Sequence, residues 1–449
     1  MSKPHISPLG NTPQIPQWQN VEQGKKVLTR AESYRGRNIS KITDNATFHM
    51  MWNKAANVFT TILQKLTRTT PAKHDIIYKQ CLQIKHNLTL IESEIKENKF
   101  NKASQHLNQL IHHCDRLMAK YLSPTENKTA FEYIESVKVD LNFLKRAHQG
   151  DASAQFILGK ECEIKKEYAA AEEWYEKAAN QGRSDAQYNL GNLYLNGRGV
   201  AQDYPQAKAW FEKAAAQGYA LAQNNLGLLY DRGNGVAQDH TQAKVWYEKA
   251  ADQGNPIAQN NLGLLYDRGK GVAQDYTQAK VWFEKAAAQG QATAQNNLGA
   301  LYYHGRGVAQ DYTQAKVWFE KAAAQGHAIA QNSLGVLYNQ GNGVVQDYKE
   351  AKAWYEKAAA QGDALAQYNL GVLYYHGRGV AQDYTQAKAW FEKAAAQGHA
   401  AAQYNLGVLY YHGRGVTQDY TQAKAWYEKA AAQGHATAQY NLKLLFRDS

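Results

Sequence analysis

The stretch AQYNLGVLYYHGRGVAQDYTQAKAWFEKAAAQG, residues 366–398, decides the fold. Its Leu-Gly-x-Leu-Tyr segment has helical spacing, and so does its Ala-x-x-Trp-Phe-x-x-Ala-Ala segment. Gly377 follows the first and Gly398 the second, each in the position where helices stop. The pattern predicts two helices joined by a glycine-containing loop. The same Ala-Gln opening recurs at 186, 222, 258, 294, 330, 366, 402 and 438, always 36 residues apart. A first unit of 32 residues starts at Ala154. A fixed period in this range marks a stack of supersecondary units, and the fold class expected is all-α.

The loop could be misread as a phosphate cradle, because Gly-x-Gly recurs in HGRGV, NGRGV, RGNGV and RGKGV. A phosphate loop needs one such element between a strand and a helix, with a Lys and a Ser or Thr. Here no strand is predicted and the element returns once per unit. Glycine instead permits the backbone turn between two helices. The aspartate after it (Asp203, Asp239, Asp275, Asp311, Asp347, Asp383, Asp419) stands where it can cap the second helix.

These residues resemble the tetratricopeptide repeat in L-G-x-x-Y, the downstream Ala and the aromatic and Ala beyond it. The 36-residue length and the inserted G-x-G-V-x-Q-D loop are similar to its relative, the Sel-1-like repeat. The resemblance covers roughly 154–449 and implies a right-handed α/α superhelical solenoid of helix-turn-helix repeats. The first unit carries KKEY (165–168) in place of the glycine loop, and the last is half a unit, with Lys443 for glycine and Phe446 for tyrosine. A polar terminal helix is what a solenoid end requires. RAHQGDASAQ (146–155) echoes AAAQGDALAQ (358–367), so the helix at 126–148 is expected to dock as a preceding second helix.

Units 294–329 and 366–401 differ at only four positions, two of them the third and seventh of the first helix. Across all units, change concentrates there and just before the terminal glycine, a spacing of i, i+4, i+7, i+8 on one helix face. In the first full unit that face holds Tyr188, Asn192, Leu195 and Asn196. Next come Asn224, Leu228, Asp231 and Arg232, then Asn260, Leu264, Asp267 and Arg268. Later units hold Asn296, Ala300, Tyr303 and His304, then Tyr368, Val372, Tyr375 and His376, and finally Tyr404, Tyr411 and His412. The opposite face (Leu190, Leu193, Tyr194) is expected to bury against the second helix with Trp210. By the resemblance, first helices line the concave side of the array, so the varying face reads as a protein-binding surface. Drift on solvated positions is the competing explanation, and the Tyr, Leu and Val among them favour binding. An asparagine follows the first varying site in nearly every unit: Asn189, Asn225, Asn261, Asn297, Asn369, Asn405 and Asn441, with Ser333 the exception. Its amide could grip an extended peptide backbone or tie adjacent helices together. Tyr303, Tyr375 and Tyr411 are expected to face away from the core and anchor a ligand, with His304, His376 and His412 a proton switch near neutral pH. The elbow residues Arg306, Arg378 and Arg414 are expected to matter little.

Outside the array, residues 1–42 hold four of eight prolines and no helical period, which predicts a disordered basic tail. Residues 43–148 predict about four amphipathic helices, and 149–449 the array of one 32-residue unit, seven 36-residue units and a half unit. Residues 1–150 carry 22 Lys and Arg against 12 Asp and Glu, while the remainder is nearly balanced. Nucleic acid or an anionic membrane would suit that excess, but no basic run beyond Lys25-Lys26 supports either over a solvated surface. No apolar run approaches the roughly 18 residues of a bilayer span, and the N-terminus lacks a signal-type apolar core. Three cysteines fit a reducing compartment, so a cytoplasmic location is expected, with a non-Sec export route as the alternative. Ser93-Glu94-Ile95-Lys96 fits S-x-x-K, but the S-D-N and K-T-G companions are absent. His106, His112, His113 and Cys114 give no i, i+4 metal pair, and no cofactor is expected. The sequence therefore predicts a non-enzymatic adaptor, bacterial by resemblance, that binds a protein or peptide. The alternative is a host-directed effector or a toxin-neutralising immunity protein using the same groove.

Overall fold

The computed structural model describes residues 146–445, with scattered helical positions between Gln83 and Arg116. The tail at 1–42 and nearly all of the expected helical region at 43–148 lie outside the described residues. Those described are all-α, helix-turn-helix pairs in tandem, with no strand among them. The chain divides into two compact units, Met1–Lys213 and Ala214–Ser449.

In the first unit, Ala152–Ile164 pairs with Tyr168–Asn180, and Ser184–Asn196 packs on Phe211 of Tyr204–Ala216. Residues 146–150 form the end of a second-type helix. Gln155 Nε2 donates to Ala147 O at 2.8 Å, as Gln187 does to Ala179 O at 3.0 Å. The loop without glycines turns through Lys166, whose φ is 63°.

In the second unit, first helices Ala220–Arg232, Pro256–Arg268, Ala292–His304, Ala328–Gln340, Ala364–His376 and Ala400–His412 alternate with second helices. The latter are His240–Asp252, Tyr276–Ala288, Tyr312–Ala324, Tyr348–Ala360, Tyr384–Ala396 and Tyr420–Ala432, and Ala436–Leu445 follows. The punctuation works as the residues dictate. Gly305 ends its helix at φ 66°, in the left-handed region where glycine carries no steric penalty. Gly307, at φ 65°, has a second reason: an added Cβ would lie 2.7 Å from backbone of Tyr276 in the preceding second helix. Gln310 Nε2 donates back to Tyr303 O at 2.9 Å, satisfying a carbonyl at the helix end. Asp311 Oδ1 accepts from Gln314 N at 2.9 Å and caps the next helix.

The core lies between units rather than within them. Phe283, Ala286 and Ala287 of one second helix join Ala294, Leu298 and Leu301 of the following first helix, with Trp318 against their edge. Each unit therefore buries its apolar face only with neighbours present.

A tighter contact holds each pair together. The first-helix glycine (Gly227, Gly263, Gly299, Gly335, Gly371, Gly407) lies on the ring at the second-helix aromatic position. A Cβ there would sit 2.5–2.7 Å from that ring, closer than any real contact. Lys443 takes this position in Ala436–Leu445, which has no described second helix to meet, and it is exposed.

Gly335→Ala should thus be destabilising despite alanine's better helix propensity. Overpacking costs about 1–3 kcal/mol against a propensity gain of at most about 1 kcal/mol, so the net loss in denaturant melts is ~1–2 kcal/mol. In a Tyr355→Leu background the ring is gone, and the same substitution should cost measurably less. Equal cost in both backgrounds would refute the glycine–ring account.

Candidate functional site

Two polar ladders run through the junctions of the second unit, and they determine which residues remain available. In the first, the Gln of each Ala-Gln opening from Gln223 to Gln403 is buried and donates to an alanine carbonyl of the preceding second helix, as Gln295 does to Ala287 O at 3.2 Å. Its Oε1 accepts from the glutamine ending its own second helix, Gln325 Nε2 at 2.8 Å. One side chain thereby ties three helices.

The second ladder resolves the role of the asparagines. Asn261 Nδ2 donates to Asn224 Oδ1 at 3.1 Å, Asn297 to Asn260 at 2.9 Å and Asn369 to Asn332 at 3.0 Å. Of the two roles open from sequence, the structure displays the tie between adjacent helices. At three other asparagines the partner is a phenol: Asn405 donates to Tyr368, and Asn189 and Asn441 to second-helix Tyr175 and Tyr427.

The third position accordingly turns inward, contrary to its expected place on an open face. Asn224, Asn260 and Asn296 are buried. Tyr188, Tyr368 and Tyr404 are half-buried on the rings of Phe211, Phe391 and Tyr427. The wheel position is right, but the neighbouring first helix covers that side of it.

Tyr303, Tyr375 and Tyr411 also differ from expectation, for they do not face away from the core. Each is half-buried, and Tyr303 meets Tyr312 of its own second helix edge-on at 5.2 Å, as Tyr375 meets Tyr384 and Tyr411 meets Tyr420. His304, His376 and His412 lie edge-on to these tyrosines and are exposed. Burial, then the charge of Arg306 or Arg378, pushes His304 and His376 below the usual histidine range, away from a switch at neutral pH. The elbow arginines are not idle: Arg414 Nη1 donates to Tyr375 Oη at 2.6 Å, and Arg306 lies 5.7 Å over the Tyr276 ring. At the charged units, Asp231 Oδ1 meets His240 Nδ1 at 2.9 Å. Asp267 is half-buried, and Arg232 and Arg268 are exposed. In the first unit Asn192 is half-buried and its carbonyl accepts from Asn196.

The face that remains keeps two of the varying positions, the seventh and the one before the terminal glycine, and adds the residue before Ala-Gln in place of the inward-turned third. Leu221, Ile257, Ile329 and Leu365, in the first turn of four first helices, are exposed apolar residues, and Thr293 interrupts the row between Ile257 and Ile329. Seven residues further along each helix lie Leu228, Leu264, Val336 and Val372, all half-buried, and four beyond those come Arg232, Arg268, Gln340 and His376, all exposed. The sequence held a signal for this row, since Leu, Ile, Thr, Ile, Leu, Ala and Thr vary at the residue before each Ala-Gln from 222 to 438. Among the described residues no cluster of His, Cys, Asp and Glu could hold a metal, and no helix is long and apolar enough to cross a membrane.

The family model described as Sel1 repeat matches residues 152–182, 184–219, 220–255, 256–291, 292–327, 328–363, 364–399 and 400–435. The chain belongs to the Sel1 repeat family. Among solved structures it is similar to a Sel1 repeat protein from Oxalobacter formigenes, at 39% identity over 68% of this chain and 90% of that one, with a TM-score of 0.55. It is also similar to c5321, a protective antigen of uropathogenic Escherichia coli with the same repeat fold, at 34% identity over 79% and 82% of the two chains, TM-score 0.49. No match is found among curated proteins. Sel1 repeats commonly serve as protein-interaction scaffolds.

Two consequences can be measured. Ser333 breaks the asparagine ladder and leaves Asn296 Oδ1 buried with no partner, a state that costs about 1–3 kcal/mol. Ser333→Asn should therefore raise stability by ~1 kcal/mol in denaturant melts, and unchanged or lower stability would contradict the ladder. The second concerns pH. His327 and His399 accept from Ala330 N and Ala402 N as helix caps, and burial pushes both below the usual histidine range, an effect Asp363 partly offsets at His399. With the folded pKa below the unfolded one, the unfolded chain binds more protons. Stability should be full above about pH 6.5 and fall as the medium acidifies below it. Changing both to Asn, the cap used at Asn255, should flatten the melting temperature between neutral and mildly acidic pH. A slope identical to that of the unaltered protein would rule the caps out.

Proposed function

We propose that this chain is a non-catalytic adaptor that holds a protein segment along the outward side of its first helices in the Ala214–Ser449 unit. The carrying observation is the exposed apolar row Leu221, Ile257, Ile329 and Leu365 beside half-buried Leu228, Leu264, Val336 and Val372. The residues that recur from unit to unit have internal partners: glycine meets a ring, glutamine bridges helices, aspartate caps. The row has no such duty in the fold, and apolar side chains aligned at one register are costly to leave in water. Sel1 repeat proteins generally bind protein partners, which agrees with this use of the surface.

The test pairs two surfaces of the same chemistry. Ile257→Glu, Ile329→Glu and Leu365→Glu alter the first-helix row, whereas Val245→Glu, Val281→Glu and Val317→Glu alter exposed valines on the second helices. Against a partner captured by crosslinking, the first triple variant should weaken binding by at least about tenfold with helicity and melting temperature preserved. The valine variant should bind normally. Equal loss in both, or none in the first, would move the interaction off the first-helix side.

A further inference from the structure

The chain holds three Asn-Gly pairs, and the fold puts them in two settings. Asn196-Gly197 straddles the end of a first helix. Asn234-Gly235 and Asn342-Gly343 lie inside the elbow, where other units carry Arg198, Lys270, Arg306, Arg378 and Arg414 before the second glycine. An asparagine followed by glycine is open to internal attack, because glycine has no side chain to shield its backbone nitrogen.

The two settings treat that nitrogen differently. Asn196 and Gly197 are both exposed, but Asn196 is helical and Gly197 N donates to Leu193 O as the helix ends. Asn196 Nδ2 also donates to Asn192 O at 2.8 Å. Asn342 lies beyond its helix, which stops at Gln340 and is capped by Gly341. Gly343 is exposed, and among the described residues its amide makes no backbone hydrogen bond. Asn342 Nδ2 donates to Gln340 Oε1 at 2.8 Å in an exposed bond.

We propose that Asn342 is a site of spontaneous covalent modification, deamidation through a cyclic imide. Gly343 N gives its proton to solvent and bonds to Asn342 Cγ. The Cγ–Nδ2 bond breaks, and Nδ2 takes up a proton and leaves as ammonia. Water then adds to one of the two imide carbonyls, and the ring opens to aspartate or isoaspartate. In sum, an amide and a water become a carboxylic acid and ammonia, with nothing oxidised or reduced. Either product sets a carboxylate in an elbow where five other units carry arginine or lysine. Isoaspartate also lengthens the main chain by a carbon beside Gly343, where even an added Cβ would lie 2.7 Å from Tyr312 Cβ. Conversion therefore strains the contact between this elbow and the preceding second helix.

The test incubates the full chain at mildly alkaline pH in water enriched in heavy oxygen and follows each pair by fragmentation mass spectrometry of its peptides. Asn342 should convert at least about tenfold faster than Asn196, whose glycine must first release a helix-end hydrogen bond. In denaturant the two should convert at similar rates. Equal rates in the folded chain, or faster conversion at Asn196, would overturn the proposal. So would an Asn342 that stays an amide in the folded chain while the denatured chain converts. Asn342→Arg, the residue of the equivalent elbows, should hold its melting temperature through the incubation while that of the unaltered chain falls. A fall of the same size in both would remove the strain at Tyr312 from the account.

Discussion

The contact between the first-helix glycine and the second-helix ring is the constraint on which the other interactions depend. With no Cβ at Gly299, the Phe319 ring can lie directly on the helix backbone, where a Cβ would stand 2.7 Å from it. That closeness brings Leu298, Leu301 and Phe319 into core clusters on either side. It also fixes where the next unit starts, so Gln295 reaches both Ala287 O and Gln325. Core packing and polar ladders are then consequences of one repeated spacing.

This economy explains why the units are so alike. A residue that touches its own pair and both neighbours cannot change without three adjustments. Gln295, Gly299, Gly307 and Asp311 are of that kind or hold a helix end. Positions free of such duties are few, and they lie in the first turn and last turn of the first helices. The surface available for a partner is thus what remains after the wiring, an apolar row with a charged or histidine border.

Most of the fold was legible because its signals are local and repeat. The period, the stop at Gly305 and the cap at Asp311 each depend on a few adjacent residues. The candidate face was less so. A helical wheel places Tyr188, Asn192 and Leu195 together, but it has no knowledge of the neighbouring helix that covers one side of that face. Asn224 and Asn260 consequently looked available when they are ladder rungs. The same blindness made Tyr303 and Tyr375 look like anchors, although each rests on the tyrosine that opens its second helix. The serine at 333 was visible as an exception. Its meaning required the partner it fails to reach, which sits 37 positions earlier.

If stability passes only between adjacent units, excising one whole unit must leave every remaining junction with a proper partner. Deleting 258–293 brings Asn297 opposite Asn224 and Gln295 beneath Ala251 O, recreating the bonds that Asn261 and Gln259 make. Thermal melts of the shortened chain followed by circular dichroism are the direct measurement. The account predicts unchanged helicity per residue and a melting temperature lowered by only a few degrees. A chain that loses most of its helical signal after this deletion would contradict it.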